Sequence, residues 1–331
     1  MRANKSDVLL STTLNKQKVK IFFTKQGLII AFLILIIIFS LFSDVFLTER
    51  NIKLVLRQVS IQGIMACGMT VMLISGNLDL SVGSIVSFAA YLIVDLYEKI
   101  GMWQAVIITL LVGLVFGCIN GFFVGILNLN SLIVTIGMLS IIQAITLLYS
   151  KGSYIIIKNP SEQAFAFLGR GFLGGIPFPV IVFLFIVIFF YILMTKTKYA
   201  IYIYALGGNK KAVKFSGIRE DLLTCSVFII TSLTATLGGI IFASRNMAAQ
   251  TAVGSGLELE VIAAVVLGGT SLLGGSGNVI KSVIGVLILG FLYNAFILFG
   301  LPYYTTQIVQ WGVIIAAVWL DIIGKRFEFE L

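Results

Sequence analysis

A chain of 331 residues that is 59% hydrophobic and only 11% charged, with a mean hydropathy of +1.08, lies far from soluble domains, where about a quarter of residues are charged. At roughly 20 residues per span, the length holds about ten transmembrane helices and no soluble domain of useful size. The net charge of +9 comes without a single histidine, which removes the commonest general base and metal ligand and argues against a hydrolase or a metal enzyme.

Taken in order, the first 26 residues carry Arg2, Lys5, Lys16, Lys18, Lys20 and Lys25 against Asp7 alone. Beside an apolar run such an arm fixes orientation rather than binding nucleic acid, so 1–26 is expected in the cytoplasm. The run 27–47 is too long for a signal-peptide core, and no small-x-small cleavage site follows it, so it reads as a retained first span. Further spans are expected at 52–75, 82–97, 104–127, 131–150, 177–195, 222–244, 259–268, 278–299 and 305–323. The eighth is too short to cross alone unless 270–273 extend it. The chain thus divides into the arm, a membrane domain over 27–323 and a cytoplasmic tail at 324–331. Ten spans put both termini on one side of the bilayer. The inner segments then hold 15 Lys and Arg: six in the arm, six from Lys196 to Arg219, and Lys281, Lys325 and Arg326. The outer segments hold the other eight, the asymmetry of the positive-inside rule.

The stretch Gly76-Asn-Leu-Asp-Leu-Ser-Val-Gly-Ser84 sets an ionisable Asp79 between two apolar runs of membrane length. An acid at that depth costs about 2.5–3.5 kcal/mol on insertion scales. Gly76 and Gly83 let the backbone break, and Asp79 or Ser81 is suited to cap the helix that restarts at Val82. Either the acid is only that cap, or the break lines a translocation path bearing Asn77, Asp79 and Ser81, as discontinuous helices do in transporters. Gly113, Gly117, Gly121 and Gly125 recur every four residues, a stripe suited to close helix packing. Asn120 beside them and Asn294 in the ninth run are further polar candidates for a path. Cys67, Cys118 and Cys225 lie far apart in apolar segments and define no disulfide framework.

Two Gly-rich segments imitate nucleotide sites. Gly169-Arg-Gly-Phe-Leu-Gly174 matches GxGxxG, but no strand precedes it and it falls in an expected external loop. Gly269-Thr-Ser-Leu-Leu-Gly-Gly275-Ser276 has Walker-like spacing with Gly275 where the phosphate-binding lysine belongs, so the chain is not expected to hydrolyse ATP itself. The longest inner loop, about 196–221, contains Tyr204-Ala-Leu-Gly-Gly-Asn-Lys-Lys-Ala-Val-Lys-Phe-Ser-Gly-Ile218. A short helix is expected between Gly208 and Gly217. Its Ala212 and Phe215 would enter a groove on a soluble partner, with Lys210, Lys211 and Lys214 at an acidic rim or at lipid headgroups.

Four ordered motifs now stand together: Asn77-Leu-Asp-Leu-Ser-Val-Gly-Ser84, Ile133-Val-Thr-Ile-Gly-Met138, Ala205-Leu-Gly-Gly-Asn209 with Ser216-Gly-Ile218, and Ile262-Ala-Ala-Val-Val-Leu-Gly-Gly-Thr-Ser-Leu-Leu-Gly-Gly275. Over about 51–319 the chain resembles the permease subunits of ribose-type monosaccharide ABC importers, a family that includes xylose, galactose and autoinducer-2 permeases. The resemblance implies an all-α polytopic permease fold, with discontinuous segments, in the bacterial inner membrane. It implies a second permease subunit, in a homodimer or a close heterodimer, an extracytoplasmic sugar-binding protein, and a separate ATP-binding subunit that uses the ATP. No cofactor is implied for this chain. The likeness marks Ala205, Gly207, Gly208, Asn209, Ala212, Phe215, Ser216 and Gly217 as the loop that receives the ATPase stroke. The chain departs from the family pattern at Asn77, which replaces a glycine, at Glu260, where Asp is common, and at Asn130-Ser131-Leu132, which replaces a proline-containing start to the fifth span.

Two other readings compete. A secondary transporter needs a coupling-ion site, usually several acids within spans, and here Asp79 is nearly alone apart from Glu258 and Glu260 at the start of the eighth. A branched-chain amino-acid or nucleoside permease shares the superfamily. A zwitterion, however, wants paired opposite charges on its path, and the sequence displays none.

Overall fold

The computed structural model describes residues 26–157, 163–302, 304–309, 311, 312, 315 and 319. The basic arm before residue 26, the tail 324–331 and much of the expected tenth span lie outside the described residues. Twelve helical elements follow in order: α1 (Gln26–Phe42), α2 (Glu49–Ile74), α3 (Val82–Ile100), α4 (Met102–Gly121), α5 (Ser131–Ser150), α6 (Gln163–Arg170), α7 (Phe178–Lys196), α8 (Lys198–Gly208), α9 (Lys210–Phe215), α10 (Glu220–Asn246), α11 (Leu257–Leu267) and α12 (Val279–Leu298). A π-helical turn, Phe122–Ile126, prolongs α4.

Among the described residues six helices are long and apolar enough to cross a bilayer: α2, α4 with its π turn, α5, α7, α10 and α12. The other expected spans depart from that standard for physical reasons. α3 has 19 residues but carries Asp95, Glu98 and Lys99 at one end. α11 has only 11 residues, and α1 falls just short of a span.

α2, α3 and α10 form the centre, and most of their side chains are buried on every face. α4, α5 and α7 surround them and point Ile133, Leu148, Phe185 and Ile188 outward, more than half exposed, as helices facing lipid do. Asparagines cap several starts. Asn130 accepts from the N–H groups of Leu132 and Ile133 (3.0 and 3.3 Å), so the start of α5 is set by a side-chain cap in place of proline. Asn278 does the same for α12.

On one face, two-residue strands and α6 close the bundle. Ile155–Ile156 pairs antiparallel with Ala248–Ala249, and Phe172–Leu173 with Ile176–Pro177. Phe165 of α6 stacks on Tyr97, with ring centroids 4.8 Å apart, and Arg57 of α2 lies 4.4 Å over the Phe172 ring. The described residues of the expected external loop therefore cover one face of the bundle.

Hydrogen bonds to α2 fix the depth of α11. Gln62, midway along α2, donates to Glu260 in the first turn of α11 at 2.8 Å. Gly275, beyond the other end of α11, donates to the carbonyl of Ile74, the last residue of α2, at 2.8 Å. α11 therefore starts near mid-depth. Its rise of about 16 Å covers half of a core ~30 Å thick. Residues 248–256 complete the crossing as strand and turn backbone. Their polar groups are met by side chains, as backbone at that depth requires: Ser87 accepts from Gly254 N–H (2.9 Å) and Gln143 donates to the Thr251 carbonyl (2.8 Å). The eighth crossing is thus assembled from the residues before 257, and not from 270–273, which turn away past its inner end.

Candidate functional site

The helical path of the chain is interrupted twice. Residues 75–81 break the path from α2 to α3, and 248–256 break the path from α10 to α11. The two breaks meet where Gly83 touches Gly254: a Cβ on Gly254 would lie only 2.0 Å from the Gly83 carbonyl oxygen. No side chain larger than hydrogen fits there.

At the inner break Asp79 is fully buried. Its Oδ1 accepts from Ser81 N–H (2.9 Å) and from Ser81 Oγ–H (2.6 Å), and Asn120 of α4 donates to Ser81 Oγ (2.9 Å). The carboxylate therefore closes a tight turn. Neither side chain caps α3 in the way the sequence predicts, because Ser81 occupies the N-cap position but spends its hydroxyl on Asp79. Among the described residues, Asp79 Oδ2 and Asn120 Oδ1 have no hydrogen-bond partner. Asn77 turns its amide to Ser75, at 3.0 Å from the hydroxyl. Asn77, Asp79, Ser81 and Asn120 thus share one locality. Asn294 does not join them: it exchanges two amide hydrogen bonds with Asn51 of α2 (2.8 and 2.9 Å), a clamp between α2 and α12.

The glycine stripe faces α10 along its whole length. Cβ atoms on Gly113, Gly117, Gly121 and Gly125 would fall 2.0 Å from Thr236 Oγ1, 2.7 Å from Ile229 Cα, 2.8 Å from Cys225 Cα and 2.6 Å from the Asp221 carbonyl oxygen. Backbone meets backbone there, which fixes α4 against α10 and sets Asn120 beside the break.

The inner loop is more helical than the sequence predicts. Tyr204 to Gly208 belongs to α8, whose Ala200, Ile203 and Leu206 are buried three residues apart. Only α9 corresponds to the expected short helix, capped by Asn209, which accepts from Ala212 N–H at 3.0 Å. Its inward anchor is Val213, which is buried. Phe215 is 88% exposed, and Ala212, Ser216 and Gly217 are exposed with it. Lys210 donates to Asn128 (2.8 Å), Lys214 pairs with Glu220 (3.5 Å), and Lys211 is exposed. Asp221 beside Arg219 raises the guanidinium pKa above its ordinary value, and burial raises that of Tyr204, whose hydroxyl donates to the Gly277 carbonyl (2.9 Å).

The end of α8 is pressed against the end of α2. A Cβ on Gly207 would lie 1.8 Å from the Ile74 carbonyl oxygen and 2.5 Å from Gly275 N. Gly274 and Gly275, both at positive φ, lie against Gly76 and Gly208. The segment with Walker-like spacing is thus a backbone packing surface. It joins the inner loop to the Asp79 break without intervening side chains, and rigid contact of this kind transmits displacement.

At the outer break lies a cavity of about 260 Å³. α2 contributes Gln58 and Gln62 to its wall, α10 Arg245, the 248–256 segment Ser255, α11 Glu260, α12 Tyr293, and the helical turn at 304–309 Gln307. Gln62 donates to the Glu260 carboxylate at 2.8 Å, and Gln307, held by Trp311 at 3.2 Å, lines the same cavity. In sequence Glu260 stands only at the start of a span, far from any cation. The fold brings Arg245 of α10 and Glu260 of α11 to the same cavity.

The family described as branched-chain amino acid transport system / permease component matches residues 51–318. The ribose import permease protein RbsC of Escherichia coli K12 is 36% identical over 304 residues, covering 91% of this chain and 95% of that protein. RbsC of Bacillus subtilis is 36% identical over 90% of this chain and 92% of its own length. The L-arabinose transport system permease protein AraH of E. coli K12 is 33% identical over 90% of each. No solved structure matches.

Proposed function

This chain belongs to the family of branched-chain amino acid transport system permease components, and we propose that within it the chain forms the membrane path of an ATP-driven importer for a ribose-like monosaccharide. It is a multi-pass permease subunit of a bacterial inner membrane and a transport component rather than an enzyme. A permease of this class works with an ATP-binding subunit and a substrate-binding protein. In our reading the complex contains two copies of this chain, both termini are cytoplasmic, and the binding protein delivers sugar at the face covered by α6.

The observation that carries the proposal is the junction of Gly207 with Ile74 and Gly275. It ties a cytoplasmic helical loop, with Phe215 free to enter a partner, to the break that holds Asp79. The stroke of the ATP-binding subunit reaches the membrane through α8 and α9, and the break at 75–81 moves with them. A branched-chain amino acid is the second reading, because Arg245 and Glu260 line one cavity. Against it, the relatives of this chain at 36% and 33% identity are named for ribose and L-arabinose. Uptake by the complete importer decides between them. Import of ribose, L-arabinose or xylose that leucine does not compete is expected; leucine import without sugar import would overturn the proposal.

A further inference from the structure

We propose that the cavity at the outer break is a transit site for the hydroxyl groups of the monosaccharide, and that Glu260, held by Gln62, selects among sugars there. The inference rests on the sugar-import reading above and adds to it a site and a residue.

The chemistry of the wall carries it. An ionised carboxylate has about four acceptor positions, and the Gln62 amide leaves most of that capacity to the cavity that Glu260 lines. Two neighbouring sugar hydroxyls match it as a pair of donors. The Gln62 amide also restricts the side chain, so its acceptors are preorganised. On the α10 wall Arg245 has no carboxylate within ion-pair distance among the described residues, so it is available to donate to a ring or hydroxyl oxygen. Gln58 and Ser255 add groups that both donate and accept, while Phe242 and Tyr293 offer apolar faces to the C–H side of a sugar ring. A neutral polyol uses every one of these groups.

Position supports the same assignment. Glu260 and Ser255 belong to α11 and the segment before it, the discontinuous crossing that starts at mid-depth. A site built on such a break changes shape when the break moves, so it can hold a sugar in one state and release it in the next.

The test uses the complete importer in proteoliposomes with saturating sugar-loaded binding protein, so that the permease step is what is read. Ribose and 2-deoxyribose, which lacks one hydroxyl, are compared. Glu260→Gln is expected to lower ribose transport by about tenfold and 2-deoxyribose transport by much less, so the ratio of the two rates collapses. Gln62→Ala, which unties Glu260, is expected to move the ratio in the same direction. Gln58→Trp, which fills the cavity, is expected to stop both sugars. A ratio unchanged in Glu260→Gln and in Gln62→Ala overturns the cavity assignment while sugar import by the unaltered chain still stands. Failure of the unaltered chain to import any pentose overturns the sugar reading itself, and the cavity assignment with it.

Discussion

The two interruptions of the membrane domain are built oppositely. The inner one, at 75–81, is packed without space: Gly76, Gly207, Gly274 and Gly275 bring three backbones together, and Asp79 is fully buried. The outer one, at 248–256, has glycine contact only at Gly83 and otherwise borders a polar cavity. A dry backbone junction resists deformation and passes displacement on, whereas a polar void admits a hydrated solute. In the proposed reading the inner break passes on force and the outer one meets the solute.

The comparison fails if the inner junction tolerates bulk. Gly207→Val should be the most damaging change, because the added carbons meet the Ile74 carbonyl and Gly275 backbone, neither of which has a rotamer to change. Loss of nearly all assembled permease is expected, read as the amount recovered with the ATP-binding subunit; normal recovery would show that the junction is loose. Gly117→Leu follows, since it drives a side chain into Ile229 and Phe228 of α10. Its recovery should also fall, whereas Gln58→Ala at the outer cavity should assemble normally.

Asp79 sharpens the comparison. Asp79→Ala strands the Ser81 hydroxyl and N–H and is expected to cost about 1–3 kcal/mol, seen as a lower melting temperature of the purified protein. Asp79→Asn keeps an acceptor for both groups and should melt within about 1 kcal/mol of the parent while uptake falls. Uptake at the parent level would leave Asp79 as a turn residue alone. Asn294→Ala leaves the Asn51 amide short of partners and should cost ~1 kcal/mol without altering which sugar is carried.

Much of this was legible where the signal is local. The limits 131–150 coincide with α5, and those of α7, α10 and α12 lie within two residues of the apolar runs. The glycine spacing on α4 marks one face, although nothing in it names α10 as the neighbour. The cavity was illegible because its walls come from segments up to about 250 residues apart, and the Asn51–Asn294 clamp joins residues 243 apart in sequence. The crossing at 248–256 was missed because extended backbone stabilised by Ser87 and Gln143 leaves no helical period to read. In α9, three lysines do not reveal which apolar residue turns inward. The structure buries Val213 and frees Phe215.

The most direct test of the account is ATP hydrolysis stimulated by sugar-loaded binding protein in an importer carrying Ala212→Arg or Phe215→Ala. Both positions are exposed, so the altered permeases should insert and melt as the parent does. With α9 as the contact that receives the stroke, stimulated hydrolysis and sugar uptake should both be lost, Ala212→Arg being the more severe. Stimulated hydrolysis and uptake at the parent level in both variants would contradict the claim that α8 and α9 couple ATP to the break at Asp79.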